Sequence, residues 1–492
     1  MQPMKKPNEV AYEYKTKPYD HQHEVLMKSW SQKSYALFME MGTGKSKVLI
    51  DNIAILAERS MINFALVIAP KGVYRNWSEK EIPQHMPDRI DKDLVVWQTK
   101  IKDKDRSVLT KPTKLIMFCM NVEAFSSVRG KKMGEWLAKQ FGSNGLIAID
   151  ESTTIKNYKA KRTKSLVSIS KSFKYRRILT GSPVTNSPLD LFSQCQFLGD
   201  NILGFDSYYP FQARYAVLNR KNMGAISFNQ VVGYKNIDEL TQKLNSFSHR
   251  VLKEECLDLP EKIYTSRYVS MTSEQLRMYE EIRKKALLIL DSDEMVSAPM
   301  MVTQMLRLQQ ILSGHIKTDD DTLKTFPTKR LDAVMEICEE VRGKVIIWSR
   351  FRHDVINITK KLNEKFGSRF KPCALSFFGD TPDNQRQENV RKFQDPNSGV
   401  QFFVGNPQTA GLGLTLTAAN TVIYYANDFN LLTRVQSEDR CHRIGQHNPV
   451  TYIDLICDGT IDGKIVKALR GKINLSAKVL GEKAREWLTI KK

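Results

Sequence analysis

The stretch Tyr35-Ala36-Leu37-Phe38-Met39-Glu40-Met41-Gly42-Thr43-Gly44-Lys45-Ser46 joins a short apolar run to a glycine-rich turn. A segment with helical periodicity, Lys47–Glu58, follows it directly. Glycines let backbone N–H groups curl around phosphate oxygens, and the first turn of a helix adds a favourable partial charge. The sequence therefore predicts a strand, a phosphate-binding loop and a helix, in this order.

Within this loop, Lys45 is expected to reach the β and γ phosphates of ATP, and the Ser46 hydroxyl to bind magnesium. The strict pattern has a glycine where Met39 stands, so a glycine turn that merely caps a helix is the simpler alternative. The other predicted contacts with the nucleotide in this loop come from Met41, Gly42, Thr43 and Gly44.

A second signal lies about a hundred residues downstream, where Asp150-Glu151 ends the apolar run Leu146-Ile147-Ala148-Ile149. Two acids at the carboxyl end of a strand suit a magnesium ligand, Asp150, and a residue that polarises the attacking water, Glu151. An acidic pair at a strand end is also common as a solvated turn. The phosphate loop upstream favours the catalytic interpretation.

Continuous apolar runs separated by helical stretches predict buried parallel strands, and the alternation occurs twice. We therefore expect an α/β fold with two doubly wound parallel-sheet lobes in tandem: residues 1–262, including a mainly helical protrusion at about 189–258, and residues 263–492, ending in a helical segment from about 461. The predicted strands are Ala65–Ala69, Leu115–Met120, Leu146–Ile149, Arg177–Thr180, Lys344–Trp348, Cys373–Phe378, Gln401–Val404, Thr421–Tyr425 and Thr451–Ile456.

The chain of 492 residues carries a formal net charge of +21, which favours a polyanionic partner such as nucleic acid. Its seven cysteines include no CxxC pair, which argues against a cysteine zinc site or a disulfide framework. The polar segment Met1–Tyr14 lacks the apolar centre of a signal peptide, and no apolar run is long enough to span a bilayer. We expect no membrane partner and a cytoplasmic location, bacterial or in a phage-infected host, or a nuclear one in a eukaryote.

Together these segments resemble superfamily 2 helicases with RecA-like lobes, and specifically the Swi/Snf-type DNA translocases. In the first half, four segments carry the resemblance: Pro18-Tyr19-Asp20-His21-Gln22, Ala69-Pro70 with Asn76-Trp77, Asp150-Glu151-Ser152-Thr153-Thr154-Ile155-Lys156-Asn157, and Leu179-Thr180-Gly181-Ser182-Pro183-Val184-Thr185-Asn186. The acidic segment departs from the family at Ser152-Thr153, where Ala or Gly and then His are usual.

The second half carries the more specific segments of the resemblance, the last of which distinguishes this family from DEAD-box RNA helicases. They are Leu259-Pro260-Glu261-Lys262, Val345-Ile346-Ile347-Trp348-Ser349, Ala410-Gly411-Leu412-Gly413-Leu414-Thr415-Leu416-Thr417-Ala418-Ala419, and Gln436-Ser437-Glu438-Asp439-Arg440-Cys441-His442-Arg443-Ile444-Gly445-Gln446. Because no chromatin-reading module is evident, the resemblance is to a minimal, phage- or bacterial-like form.

The resemblance implies an ATP hydrolase that uses ATP and Mg²⁺ in the cleft between the lobes and moves along double-stranded DNA as a monomer. It implies that Arg440 and Arg443 act as arginine fingers, with Gln436 placing the water, and a pair of surface ion-paired arginines is the alternative. Further roles are base reading by Gln22, nucleotide contact by Gly413, and coupling of hydrolysis to lobe movement by Thr180, Gly181 and Ser182. The implied nucleic-acid contacts are Pro70, Lys71, Asn121, Arg350, Gly411 and Thr415.

Other functions remain open at this level. A strand-separating or annealing helicase, or fork remodeller, differs only in a wedge that has no short motif. A nucleic-acid-binding scaffold without hydrolysis is disfavoured because Lys45, Asp150, Glu151, Arg440 and Arg443 are all present. A P-loop kinase or metabolic ATPase leaves the segment Gln436–Gln446 unexplained. The basic segment Lys156–Arg177 suits either a DNA track or a solvated helix face.

Overall fold

The computed structural model describes residues 12–99, 103–110, 113–223, 226–291, 298–317, 322–368, 371–409 and 414–481. The chain divides into two compact units. The first contains the residues up to Val217 together with Val232–Asp258 and a segment from Leu475, and the second contains Leu218–Val231 and Leu259–Asn474. The sequence prediction placed the boundary a few residues later, at 262.

The first unit is built on a parallel sheet with the strand order β3-β4-β2-β5-β6-β1-β9. Its central strands are buried along their whole length, as the six buried residues of β2 illustrate, which explains their unbroken hydrophobicity. The strands up to residue 258 are β1 Ser34–Met39, β2 Phe64–Ala69, β3 Lys92–Val96, β4 Leu115–Asn121, β5 Gly145–Asp150, β6 Tyr175–Leu179, β7 Ala216–Met223, β8 Ile226–Tyr234 and β9 Ser248–Val251.

Helices connect these strands, and the apolar side chains of α2 join the core beside β1 and β2. A π-helical turn, Trp77–Glu81, lies between α3 and α4. The helices up to residue 258 are α1 Asp20–Ser29, α2 Lys45–Glu58, α3 Tyr74–Asn76, α4 Ile82–His85, α5 Asp103–Thr110, α6 Val128–Phe141, α7 Lys161–Ser170, α8 Leu191–Leu198, α9 Tyr208–Tyr215, α10 Ile237–Asn245 and α11 Lys253–Cys256.

The region 189–258 is less helical than the sequence prediction held. It contains helices α8 to α11, but β7 and β8 form a two-stranded sheet and β9 joins the main sheet beside β1. Several aromatic residues of this region, including Phe192, Phe205, Phe211 and Tyr215, contact one another in a cluster. Aromatic clusters of this kind suit helices and strands alike.

The second unit contains another parallel sheet, with the strand order β10-β17-β16-β13-β15-β14. The strands after residue 258 are β10 Lys262–Tyr268, β11 His315–Lys317, β12 Leu323–Thr325, β13 Lys344–Ser349, β14 Ala374–Phe377, β15 Phe402–Gly405, β16 Ala419–Ala426 and β17 Val450–Ile456. The helices are α12 Ser273–Asp291, α13 Ala298–Leu312, α14 Lys329–Glu340, α15 Arg352–Phe366, α16 Asp383–Gln394, α17 Leu431–Glu438 and α18 Ile461–Val479.

The prediction of two parallel-sheet α/β lobes is confirmed, since each of the nine predicted strands overlaps an observed one. Helix α18 agrees with the predicted C-terminal helical segment as far as Val479, and residues 482–492 lie outside the described part of the chain. Within the described ranges, no helix combines the length and apolarity that a membrane crossing requires.

Candidate active site

The phosphate loop lies between β1 and α2, as the sequence predicts. Gly42 and Gly44 have φ values of 86° and 89°, a left-handed conformation that glycine adopts without steric cost. The carbonyl of Glu40 accepts hydrogen bonds from the Thr43 hydroxyl at 2.8 Å and from Lys45 Nζ at 3.1 Å. The loop is therefore shaped by its own side chains, and Lys45 already lies over it.

Gln22 of α1 is packed against this loop. Its Nε2 donates to the Thr43 carbonyl at 3.1 Å, and its Oε1 accepts from the Tyr19 N–H at 3.2 Å. His21 Nε2 donates to the same Thr43 carbonyl at 2.8 Å. A Cβ atom on Gly44 would lie only 2.1 Å from Gln22 Nε2. The side chain predicted to read the base therefore also supports the phosphate loop, a contact that the motif alone does not reveal.

The acid pair follows β5, two strands from the phosphate loop in the same sheet. Asp150 accepts hydrogen bonds from Trp77 Nε1 at 3.1 Å and from the Glu151 N–H at 3.0 Å. Burial raises the pKa of Asp150, and the charge of Lys45 with these two hydrogen bonds partly offsets that rise. Trp77, which belongs to one of the segments that carry the family resemblance, is buried and supports the acid centre. A buried indole N–H usually has a hydrogen-bond acceptor, but the spacing of the sequence does not show that Asp150 is this acceptor.

Glu151 adopts a left-handed backbone conformation with a φ of 53°. This conformation is costly for a residue with a side chain and is concentrated at functional sites. The Thr180 hydroxyl, just after β6, lies 3.5 Å from Glu151 Oε2 and accepts a hydrogen bond from the Ser182 N–H at 3.1 Å. The predicted coupling segment thus touches the residue predicted to polarise the water.

Ser152, where the acidic segment departs from the family pattern, makes a further link to the coupling segment. Its hydroxyl donates to Gln194 Oε1 at 2.7 Å, and Gln194 Nε2 donates to the Pro183 carbonyl at 2.9 Å. All of these contacts are buried. Sequence analysis missed Gln194, although a glutamine inside the apolar helix α8 was a signal, since buried polar groups require partners.

Two basic residues from the β9 region also approach the phosphate loop. Arg250 Nη1 donates to the carbonyls of Gly181 at 2.9 Å and Phe38 at 3.1 Å. The Lys253 N–H donates to Glu40 Oε2 at 2.9 Å, and its Cε lies 3.9 Å from the position of a Cβ on Gly42. No motif predicted these contacts, because they depend on the pairing of β9 with β1.

An open groove of about 780 Å³ lies at the carboxyl ends of β2 and β4. Two predicted nucleic-acid contacts, Lys71 and Asn121, line it together with Arg75 and Arg129. Glu123 orders the groove wall, since its Oε2 accepts from the Lys71 N–H at 3.1 Å and from Asn121 Nδ2 at 3.2 Å. Pro70 is buried, and its carbonyl accepts from the N–H groups that begin the next helical turn.

In the second unit, the segment Gln436–Gln446 runs from the last turns of α17 into the following loop. Arg440 Nη1 and Arg443 Nη1 both donate to the Leu414 carbonyl, at 3.4 Å and 3.3 Å. Gln446 donates to the Ala419 carbonyl at 2.7 Å. The two predicted fingers are therefore neighbours that share the Leu414 carbonyl of the segment Ala410–Ala419, and Gln436 is half-buried on α17.

The other nucleic-acid and nucleotide contacts predicted in this unit lie in different surroundings. Arg350 donates to Gln309 Oε1 at 2.8 Å and lies 3.5 Å from Asp428 Oδ1. Thr415 is half-buried beside Leu414. Gly411 and Gly413 lie outside the described residues.

Two family models match successive parts of this chain. The model of the SNF2-related domain matches residues 20–317, and that of the helicase conserved C-terminal domain matches residues 329–445. The SWI/SNF chromatin-remodeling complex subunit snf22 of Schizosaccharomyces pombe is 25% identical over 468 residues, which cover 90% of this chain and 26% of that protein.

A bacterial relative, the putative ATP-dependent helicase/translocase YwqA of Bacillus subtilis, is 26% identical over 466 residues, covering 92% of this chain and 46% of that protein. The chain thus spans less than half the length of these two relatives. Among solved structures, the Sulfolobus solfataricus SWI2/SNF2 ATPase core in complex with dsDNA is 25% identical, covers 93% of this chain and 91% of that one, and has a TM-score of 0.41.

Proposed function

The chain belongs to the SNF2-related domain family, and from this membership we propose that it is a DNA-dependent ATPase that couples ATP hydrolysis to translocation along double-stranded DNA. One observation carries the proposal: the phosphate loop, the acid pair and Thr180 follow β1, β5 and β6, and β6 lies between the other two strands. Because the carboxyl ends of parallel strands meet at one edge of the sheet, the three segments can act on one nucleotide.

Phosphoryl transfer depends mainly on positioning and on neutralising the charge that spreads over the transferred group. In the proposed mechanism, Lys45 leaves the Glu40 carbonyl to contact the β and γ phosphates of ATP. Ser46 and Asp150 would hold Mg²⁺, and the fit rests on the partly buried Asp150 carboxylate, whose two hydrogen-bond donors leave lone pairs for a cation. Bound Mg²⁺ would neutralise phosphate charge.

Glu151 would orient and polarise the attacking water. Through its contact with the Glu151 carboxylate, Thr180 would respond to the position of Glu151. Arg440 and Arg443 would supply positive charge to the γ-phosphate, with Gln436 helping to place the water. In this proposal Gln22 contacts the base as well as the loop. In well-studied enzymes an arginine finger contributes about 10³–10⁵ to the rate.

Double-stranded DNA is proposed as the track because the chain carries a net charge of +21 and because Lys71, Arg75 and Arg129 line one groove of the first unit. The name of the B. subtilis relative, a putative ATP-dependent helicase/translocase, supports ATP-driven movement. Contacts with phosphates rather than bases suit a motor that steps without reading sequence.

The test compares phosphate release in the presence of double-stranded DNA, single-stranded DNA and RNA, with Lys45→Ala as the inactive control. We expect double-stranded DNA to give the greatest stimulation. A triplex-displacement assay should then show ATP-dependent movement, while a forked-duplex assay should show little strand separation. Stimulation by RNA alone, or none at all, would refute the proposal.

A further inference from the structure

A buried cluster in the second unit has no part in the proposed ATPase. His315 is the first residue of β11, and His353 and Asp354 lie in the first turn of α15. Across the described part of the chain, these three residues form the one group of histidine, cysteine and acidic side chains whose ligand atoms all lie within 4.8 Å of one another. His315 and Asp354 are each 2% exposed.

The atoms of this cluster converge on one another without completing hydrogen bonds. His315 Nδ1 lies 3.2 Å from Asp354 Oδ1, and His353 Nδ1 lies 3.9 Å from the same oxygen. None of these three buried atoms has a hydrogen-bond partner of acceptable geometry. Buried polar atoms are rarely left in this state, and a missing ion is one of the ordinary explanations.

The 3.2 Å separation of His315 Nδ1 from Asp354 Oδ1 matches a metal site, whereas the 3.9 Å separation of His353 Nδ1 requires a small movement of that side chain toward the ion. Zn²⁺ binds imidazole nitrogen and carboxylate oxygen at about 2.0–2.2 Å, so that ligand atoms around a tetrahedral ion lie about 3.3 Å apart. Two imidazoles and one carboxylate also form a ligand set that binds divalent transition metals in preference to Mg²⁺ or Ca²⁺. The side chain of His353 is 28% exposed, which provides a route from solvent.

The surroundings hold the ligands in place. The Ser349 hydroxyl donates to Asp354 Oδ2 at 2.6 Å and leaves Oδ1 facing the histidines. Hydrogen-bonded ligating carboxylates are usual in metal sites.

We propose that His315, His353 and Asp354 bind a divalent transition-metal ion of the Zn²⁺ class, with the fourth position open to water. The ion would join β11, which follows α13, to the first turn of α15, directly after the turn between β13 and α15. Gln309 of α13 and Arg350 of that turn are already joined by a hydrogen bond of 2.8 Å, so the metal would reinforce an existing contact. The ion would bind without nucleotide and would hold these two elements together.

The test uses the full chain, freed of metal and without nucleotide, titrated with Zn²⁺ in competition with a chromophoric chelator. We expect one equivalent to bind tightly to the wild type and to raise its thermal unfolding midpoint. His353→Gln, at the partly exposed ligand, should lose that equivalent and the shift in midpoint. His447→Gln, at an exposed histidine, should retain both. Tight binding by His353→Gln, or none by the wild type, would overturn the proposal.

A spectroscopic measurement on the wild type keeps the proposal testable if the variant fails to fold. Co²⁺ in place of Zn²⁺ should give the visible bands of a nitrogen and oxygen site. Thiolate-to-metal charge-transfer absorption would place the ion on one or more of the seven cysteines and would refute the assignment to the histidines.

Discussion

The indole Nε1 of Trp77 donates a hydrogen bond of 3.1 Å to Oδ2 of Asp150, so a residue from the segment after β2 supports the acid that ends β5. This hydrogen bond stabilises the ionised carboxylate and lowers its pKa against the effect of burial. Trp77 thereby connects the segment after β2, which also contributes Lys71 and Arg75 to the groove, to the proposed magnesium ligand Asp150.

Trp77→Phe should shift the pH dependence of hydrolysis. Removing the donor raises the pKa of Asp150 further, so the acid limb of kcat/KM should move to higher pH, while the alkaline side stays unchanged. The measurement is DNA-stimulated ATPase activity across a pH series. Trp136→Phe, on α6 and 36% exposed, is the control, and an equal shift in both variants would contradict the assignment.

Gly44→Ala should abolish ATP binding. The left-handed φ costs an alanine about 1–2 kcal/mol, and the new Cβ would displace the amide of Gln22 from the loop. Gly459→Ala separates the two effects, because Gly459 also has a left-handed φ, of 68°, with nothing within 4 Å of its Cβ position. We expect the control to bind ATP normally in an equilibrium titration. Normal binding by Gly44→Ala would refute the proposed loop.

Ser152→Ala should destabilise the first unit by about 1–3 kcal/mol, since Gln194 Oε1 would lose its donor in a buried setting. Denaturant unfolding followed by circular dichroism measures the change. The control is Thr154→Val, because the Thr154 hydroxyl oxygen is buried without a hydrogen-bond partner. That variant should not lower the stability, because it breaks no hydrogen bond and replaces an unpaired polar atom by an apolar group of the same shape. Equal losses in both variants would show that the Ser152–Gln194 contact contributes nothing specific.

Arg443→Ala should leave ATP affinity nearly unchanged and reduce turnover by about 10³-fold or more, as expected for a residue that stabilises the transition state. The matched control is Arg267→Ala, which removes an exposed arginine paired with Glu336 on the same unit. Single-turnover hydrolysis and nucleotide binding are measured in parallel. A variant with wild-type turnover would exclude Arg443 as a finger.

Lys71→Ala should weaken DNA binding uniformly across sequences and reduce the slope of log affinity against log salt by about one. Its matched control is Lys360→Ala, an exposed lysine on α15 outside the groove. Fluorescence anisotropy over a salt series provides both values. If the two variants change the slope equally, the groove is not the DNA contact.

The sequence alone determined the fold class and the principal motifs, because buried parallel strands and a glycine-rich phosphate loop have local signatures. It predicted Lys45 and Asp150 as parts of one ATP site, and the resemblance implied a coupling role for Thr180; the order of the strands brings their segments to one sheet edge. Only the tertiary structure shows that Trp77 and Gln194 support this centre. It also shows that β9 brings Arg250 and Lys253 to the loop. Finally, it shows that His315 and His353 converge on Asp354. The physical reason is that side-chain contacts between distant segments depend on strand order and burial, which no local spacing records.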